Sequence, residues 1–599
     1  MLLVLNRLNA LNGSLVIFGE AIVEDKNGEP PMPKEALSDD EDSPLPATET
    51  PVKHKSNDVD FDFNLPDEKL RNKVAETRLW QTRRREVVQA FRHSWLGYKE
   101  YAWGMDELHP ISKTGSNWFS LGLTAIDALD TAWLMNEKEI FREVRQWIHS
   151  SYSVDQTGES NVFEITIRVL GGFLSAYNLS KDKLFLDKAV ELADRLLHAF
   201  DSPSGIPYAS INLKEKVGIP SNHQGGYSST AEATTLQLEL KYLSYLTDDP
   251  KYWNAAQKIM SRVFENNAKD GIVPIFINAE SGNFVGSDFR LGSRADSYYE
   301  YLGKQWLVTN HTEFEYLKQY KKSVAGIRKH LLGYTEKNKF LFVGERPNGL
   351  DNPLSSKMDH LVCFLPATLA IVATNGKKVG RIERRKLSLE AQLDLDLAEE
   401  LTRSCYEMYH QTKTGLAPEI VFWKESLYQD EKQPKKAESG EKHNDRLVKK
   451  QVSNTTVGPS FKQRNITLFN GVRRETVSPR ICTDILAHHR QTDNLDDPPA
   501  PDACGAPSVP YDDETDANTR FKEVPDEPLY QDFDIHPNDG HNLLRPETVE
   551  SLFVMYRITG KRKYREWGWK MFRAFDNWCK VESGGYSTLV SKASFLCII

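Results

Sequence analysis

The chain has 599 residues, a length that suggests about four average domains unless the fold is one large helical toroid. A formal net charge of −9 leaves no basic footprint for nucleic acid, while 39% hydrophobic and 10% aromatic residues supply a sizeable core. With 27% charged residues and a mean hydropathy of −0.53, the chain reads as soluble and globular with disordered parts.

In chain order, "MLLVLNRLNALNGSLVIFGE" is apolar but interrupted by Asn6, Arg7, Asn9 and Asn12, which argues against a spanning helix and gives no clear signal peptide. The Pro-, Asp-, Glu- and Ser-rich text that follows predicts a mostly disordered N-terminal region at 1–76. Helical periodicity dominates from about 77 to 424. In "NVFEITIRVLGGFLSAY", Phe163, Ile167, Leu170, Leu174 and Tyr177 fall four, three, four and three apart, the spacing of a buried helix face. The same reasoning predicts helices at 184–200, 229–246, 250–266, 297–309, 312–332, 359–373 and 394–411, separated by Gly, Pro and Asn turns. Strand-like alternation is scarce, so the predicted class is all-α, built from successive helix hairpins. Between about 425 and 530, stretches such as "DEKQPKKAESGEKHNDRLVKK" and "NLDDPPAPDACGAPSVPYDDETD" lose all periodicity and predict a disordered insertion within the fold. Helical text resumes at 546–558 and 561–580, before an atypical tail at 591–599.

Several carboxylates stand where helices should start. In "HNLLRPETVESLF", Glu547 and Glu550 follow Pro546, a residue suited to the first helical position, and acids in a first turn are favoured by the helix dipole. Asn161-x-x-Glu164, Ser229-x-x-Glu232 and Ser297-x-x-Glu300 fit the capping-box pattern, the last leaving Asp296 just outside its helix, and Glu419 follows Pro418. Each alone is a sufficient helix cap. Glu164, however, lies in apolar surroundings with Arg168 one turn on, and Arg294 and Asp296 sit beside aromatic residues in "GSRADSYYEY". In a ring of hairpins alternate helices run the same way, so such acids converge on one rim. That arrangement suits two-carboxylate hydrolysis of a glycosidic bond, or a hard cation with oxygen ligands.

Six cysteines show no zinc-ligand spacing, and sequence alone does not pair them. N-x-S/T triplets occur at Asn12, Asn178, Asn310, Asn454 and Asn465; they permit a secretory reading without requiring it.

The segments "SNWFSLGLTAIDALDTAW", "NVFEITIRVLGGFLSAY", "AEATTLQLEL", "LGSRADSYYEYLGKQW", "MDHLVCFLPATLA", "LAEELTRSCYEMYHQTKTGLAPEIV" and "HNLLRPETVESLFVMYRITG" together resemble glycoside hydrolase family 47, the class I α1,2-mannosidases that trim N-glycans. The resemblance covers roughly residues 77–590 apart from the insertion. It implies an (α/α)7 barrel and an inverting, calcium-using hydrolase acting as a monomer on high-mannose N-glycans in the endoplasmic reticulum or Golgi lumen. Carried over by motif, Glu164 is the general acid, Asp296 an active-site carboxylate, Glu419 a second acid candidate and Glu547 the base. Arg168, Glu232, Arg294 and Glu550 are placed on the substrate side, and an arginine at the position of Arg294 resembles the endoplasmic-reticulum type. Cys363 and Cys405 match the family's disulfide pair.

The resemblance also implies a C-terminal helix with another active-site glutamate and a "TEAHP"-like segment whose threonine ligates calcium; no such segment occurs here. The expectation is therefore a barrel incomplete at its C-terminus, exposed apolar faces, no metal ligand of this chain to name, and weak or absent activity. Two alternatives stand beside the enzyme: an inactive mannose-glycan-binding relative, favoured by the absent calcium segment, and an isoprenoid-cyclase-like toroid, for which Asp127 and Asp130 of "IDALD" substitute poorly for an Asp-rich metal motif.

Overall fold

A computed structural model describes residues 68–222, 225–425 and 532–589. The expectations for the N-terminal stretch up to 67, the insertion at 426–531 and the tail from 590 lie outside the described residues.

Apolar patterning sorts the helices into two layers. Leu365–Thr374 is apolar on nearly every side and buries Leu365 through Val372, so it belongs inside. Lys183–Leu196 is amphipathic and buries only Phe185, Ala189, Leu192, Ala193 and Leu196, one stripe at helical spacing, so it belongs outside. The same alternation repeats along the chain. Inner helices Leu129–Met135, Gly171–Ser180, Gln237–Thr247, Asp296–Val308, Leu365–Thr374 and Glu547–Thr559 each pair with the next outer helix: Lys138–Ser151, Lys183–Leu196, Pro250–Glu265, Phe314–His330, Leu389–His410 and Lys563–Trp578. Each inner helix after the first also packs on the preceding inner one, and the first described helix, Glu68–Tyr101, belongs to the outer layer. The result is the helical toroid expected, and its first helix begins at Glu68, ahead of the expected boundary at 77.

The outer layer nevertheless joins end to end. Glu68–Tyr101 lies along Lys563–Trp578: Arg83 clamps Glu566 with Nη1 at 2.9 and 2.8 Å from its two oxygens, Arg573 reaches Glu86, and Gly97 meets Gly584 so closely that a Cβ on either would strike backbone. Among the described residues the first and last outer helices are thus in contact. Trp133 and Leu134 of Leu129–Met135, and Val549 and Phe553 of Glu547–Thr559, are large apolar side chains left exposed.

Short strands, absent from the sequence reading, complete the fold. Among the described residues there are five sheets of two or three strands, and three of them border helix starts: Ser160–Asn161 pairs with Ser210–Asn212, Ser228–Ser229 with Phe276–Ile277, and Lys357–Asp359 with Ile420–Trp423. Strands of two to four residues are too short for alternation to register, yet three of their ladders fix the residues just before the helical turns that begin at Val162, Thr230 and His360. Other differences are local. The predicted helix 229–246 is broken at Thr235 and Leu236, and the helix predicted at 394–411 starts at Leu389, where Ser388 caps it through Ala391 N. Within "NVFEITIRVLGGFLSAY", Thr166–Leu170 forms a π turn, which shifts the helix register immediately after Glu164.

The disulfide implied by the resemblance is present: Cys363, in the turn leading into Leu365–Thr374, is bonded to Cys405 of the outer partner helix Leu389–His410, with Cα atoms 5.9 Å apart. The segment 426–531 leaves from one strand and returns in its neighbour, with Trp423 paired to Phe533 and Lys424 N donating to Asp532 O at 2.7 Å. Asp532 is pinned in turn by Thr335 Oγ1 and Asn338 N. Because the ends already meet, a four-residue Gly/Ser loop in place of 426–531 is expected to fold and to raise stability by on the order of 3 kcal/mol through the smaller closure entropy. Urea unfolding of the two forms checks this; a lower midpoint for the shortened chain would show that the insertion contributes contacts of its own.

Candidate active site

Two of the helices that follow these strands, Val162–Ile165 and Thr230–Thr234, open with a polar side-chain cap that leaves the carboxylate of the capped glutamate for other partners. Asn161 Oδ1 accepts from Glu164 N at 2.8 Å, and Ser229 Oγ accepts from Glu232 N at 3.4 Å. A full capping box would turn both carboxylates back on the cap residue. Instead Arg168 Nε donates to Glu164 Oε2 at 2.6 Å, and Asn161 Nδ2 reaches across to Glu232 Oε2 at 3.2 Å, tying two neighbouring inner helices together. Burial raises the pKa of Glu232; Glu164 adds to the rise, while the Asn161 amide and Arg294 draw it back.

Arg168 is shared between acids. Its Nη1 lies 3.8 Å from Asp127 Oδ2, and although burial disfavours the cation, Glu164 and Asp127 hold its pKa above the ordinary arginine value. Half of the Asp127 side chain is open (48%), yet surrounding protein strips enough water to push its pKa up to about 6 against the pull of Arg168. Asp127 was weighed in the sequence only as a poor metal motif; its place beside Arg168 was not legible.

Arg294 sits in a left-handed conformation, φ 79°, with its carbonyl accepting from Ala231 N at 2.8 Å and its guanidinium over the Phe276 ring at 5.1 Å. Non-glycine residues adopt this conformation only when their surroundings hold them there. The backbone then turns into Asp296, the first residue of its helix. The expected capping by Ser297 is corrected: the preceding residue Ala295 makes no side-chain cap, and Asp296 Oδ1 accepts from Ser297 N at 2.9 Å. Burial pushes the Asp296 pKa up to about 7, with Glu300, Glu547 and Asp359 adding to the rise.

Glu547 likewise opens its helix, with Pro546 at the cap position rather than the first helical one. Its Oε2 is buried and lacks a hydrogen-bond partner, 3.3 Å from His360 Nδ1, which is in the same condition. The other ring nitrogen of His360 is shared with Tyr409 Oη at 2.9 Å and Thr548 Oγ1 at 3.0 Å, so the imidazole is held while the Glu547 side stays unsatisfied. Buried unsatisfied polar atoms in a native site call for an occupant or a chemical role. His360 carried no spacing signal; it lies inside "MDHLVCFLPATLA" as one polar residue before an apolar helix.

Glu419 and Glu550 lie in different settings. Glu419 does not begin a helix but stands before the strand Ile420–Trp423; Oε1 accepts from Leu543 N at 3.1 Å and Oε2 from Arg545 Nε, so both oxygens are committed to the loop that enters Glu547. Glu550 lies a turn deeper, buried, where Lys304 Nζ bridges it at 3.3 Å to Glu300. Beside this bridge Tyr301 Oη donates to Glu239 at 3.3 Å, and burial pushes the Glu239 pKa up to about 7. Among the described residues no group of three or more His, Cys, Asp or Glu side chains has a metal-holding arrangement, so they do not by themselves fit the calcium ion that the resemblance implies. Nor is any described helix long and apolar enough to cross a membrane.

A two-layered ring of helix hairpins whose inner N-termini gather Glu164, Glu232, Asp296 and Glu547 defines a helical-toroid protein with an acidic mouth. Glycosyl hydrolase family 47 matches residues 90–591, and the chain belongs to that family. It is 37% identical over 509 residues to the endoplasmic reticulum mannosyl-oligosaccharide 1,2-alpha-mannosidase of Homo sapiens, an alignment covering 85% of this chain and 56% of that protein. To the mannosyl-oligosaccharide 1,2-alpha-mannosidase of Candida albicans it is 38% identical over 524 residues, covering 86% of this chain and 75% of the relative. Among solved structures, the alpha-1,2-mannosidase from Trichoderma reesei superposes with a TM-score of 0.61 at 24% identity, covering 85% of this chain and 87% of that one, which shows the fold.

Proposed function

We propose that the chain removes terminal α1,2-linked mannose from high-mannose N-glycans in the endoplasmic reticulum lumen, with inversion at the anomeric carbon. The observation that carries the reading is the pairing of family membership with the unsatisfied Glu547 carboxylate at the mouth of the ring. Glu547 acts as base: Oε2 takes a proton from water as the water attacks the anomeric carbon from the face opposite the leaving oxygen. Glu164, gripped by Arg168, delivers a proton towards the leaving oxygen, and Asp296 is a second carboxyl able to hold a proton near neutrality. Glu232 and Arg294 bind the sugar side, Glu419 positions the entry loop through Arg545, and Glu550 is held by Lys304 beneath the mouth. The disulfide fits an oxidising lumen.

The test is a trimming assay on the 599-residue chain with nine-mannose glycan, read by mass, with NMR of the first sugar released. Loss of hexose with β-mannose as the initial product is expected. Slow binding without any release would instead favour the inactive glycan-binding reading. Running the assay with calcium and with excess chelator measures the metal dependence that the family resemblance implies.

Asp296 gives a stability signature apart from turnover. Its pKa is raised on folding, from an ordinary carboxylate value near 4 to about 7, so its contribution to stability is complete below the unfolded value and is lost as pH rises through the folded one. Asp296→Asn removes the buried charge while keeping the acceptor for Ser297 N. The variant is expected to be more stable than the parent at pH 8 by on the order of 1–2 kcal/mol, with the gap closing towards pH 4. A gap independent of pH, in thermal unfolding at both values, would sink the assignment.

A further inference from the structure

Two of the five N-x-S/T triplets lie among the described residues, and their settings differ. Asn178 is in the last turn of Gly171–Ser180, where its Oδ1 accepts from Tyr242 Oη at 3.0 Å, and the Ser180 hydroxyl donates to Ala176 O at 2.7 Å. The acceptor amide of that triplet is therefore committed within the fold. Asn310 stands instead in the turn between Asp296–Val308 and Phe314–His330, at φ 50°, followed by His311 at φ 66°. Consecutive left-handed residues make a tight outward turn, and asparagine tolerates that conformation better than most. His311 packs at a tilt against Trp306 with ring centroids 4.2 Å apart, which anchors the turn, and Thr312, whose hydroxyl donates to Thr309 O at 2.8 Å, is exposed. Among the described residues the Asn310 side-chain amide forms no hydrogen bond and is not buried out of reach of water.

The turn also lies far from the acidic mouth. Asp296 opens the inner helix and Asn310 follows its end, so a 13-residue helix separates them, about 20 Å along the axis. The Lys377 charge that acts on His311 belongs to the corresponding turn after Leu365–Thr374, so the turns that end these two inner helices lie near one another. A bulky, hydrated group at Asn310 therefore blocks neither the site nor a packed interface.

We infer that Asn310 is an N-glycosylation acceptor of this chain and that Asn178 is not used, or is used far less. The inference rests on the lumenal placement proposed above. In the transfer, Asn310 Nδ2 forms a bond to the anomeric carbon of an oligosaccharide carried on a lipid pyrophosphate; the bond from that carbon to the phosphate oxygen breaks, the lipid pyrophosphate leaves with the bonding electrons, and the amide nitrogen gives up one proton. The threonine at the third position supplies the hydroxyl that the acceptor triplet requires.

The experiment is to pass the full chain through a eukaryotic secretory pathway, release N-glycans with a peptide N-glycosidase in heavy-oxygen water, and map the resulting aspartates by peptide mass. Label at Asn310 in most molecules, with little at Asn178, is expected. Asn310→Gln should remove one glycan from the intact mass and leave the Cys363–Cys405 bond formed. Unlabelled Asn310 overturns the inference in molecules whose Cys363–Cys405 disulfide has formed. If that pair is also reduced, the inference falls together with the lumenal placement, so the thiol state distinguishes the two failures.

Discussion

Glu547→Gln is expected to lower kcat for mannose release by on the order of 10²- to 10⁴-fold while changing substrate affinity little. Glutamine keeps the volume and one acceptor oxygen, but it cannot accept the proton of the attacking water, so the loss falls on the transition state. The ground state has less to lose, because the affected Oε2 makes no hydrogen bond to protein. His360 supplies the complementary measurement. Its Nε2 is occupied by Tyr409 and Thr548, and Nδ1 faces Glu547 at 3.3 Å, so His360→Ala should displace the carboxylate and reduce kcat less than Glu547→Gln does. The double variant should then show strong non-additivity, as residues acting as a unit do. Single-turnover rates, with glycan affinity measured separately, check this. Normal kcat in the Gln variant would remove Glu547 from the base role.

What the sequence made legible follows from the length scale of each signal. Long inner helices such as Leu365–Thr374 announce themselves through unbroken apolar text, and amphipathic outer helices such as Lys183–Leu196 through a single stripe. The cap residues Asn161 and Ser229 were readable because a cap is a local, four-residue pattern. Their use was not readable, since Asn161 bonds Glu232 across two helices and a distance of 71 positions. The same limit hid His360, whose partners Thr548 and Glu547 arrive from beyond the insertion, and it made Glu419 look like a helix start when the strand pairing of Ile420 with Asp359 decides its setting. The π turn at Thr166–Leu170 was masked by a regular apolar spacing that a one-residue register shift does not erase in so thoroughly buried a helix.

Asp106→Ala is expected to be the most destabilising single change in the described chain, at about 4–5 kcal/mol. Asp106 is fully buried, and its carboxylate is the hub of the loop that leads into the ring: Oδ2 accepts from the backbone N–H groups of Trp118, Phe119 and Ser120 at 2.8, 2.5 and 2.6 Å, and Oδ1 from those of Leu121 and Leu123 at 3.0 and 2.9 Å. The loop needs such a hub, since Ser120 and Gly122 are both left-handed and its amides point inward instead of into a ladder. Alanine leaves five inward amides without their acceptor, each costing about 1–3 kcal/mol where water cannot enter, and partial hydration limits the sum. By contrast Asp155→Ala, which removes a half-open partner of Arg195, should stay within about 0.5–1 kcal/mol. The loop also sets the helix Leu123–Asp127, so loosening it should carry Asp127 away from Arg168 and weaken the grip on Glu164. Urea unfolding and amide exchange at Trp118–Leu123 measure the two effects. Exchange protection unchanged in the alanine variant would mean that the loop is held by its apolar packing, with Phe119 and Leu121 buried, and not by the carboxylate.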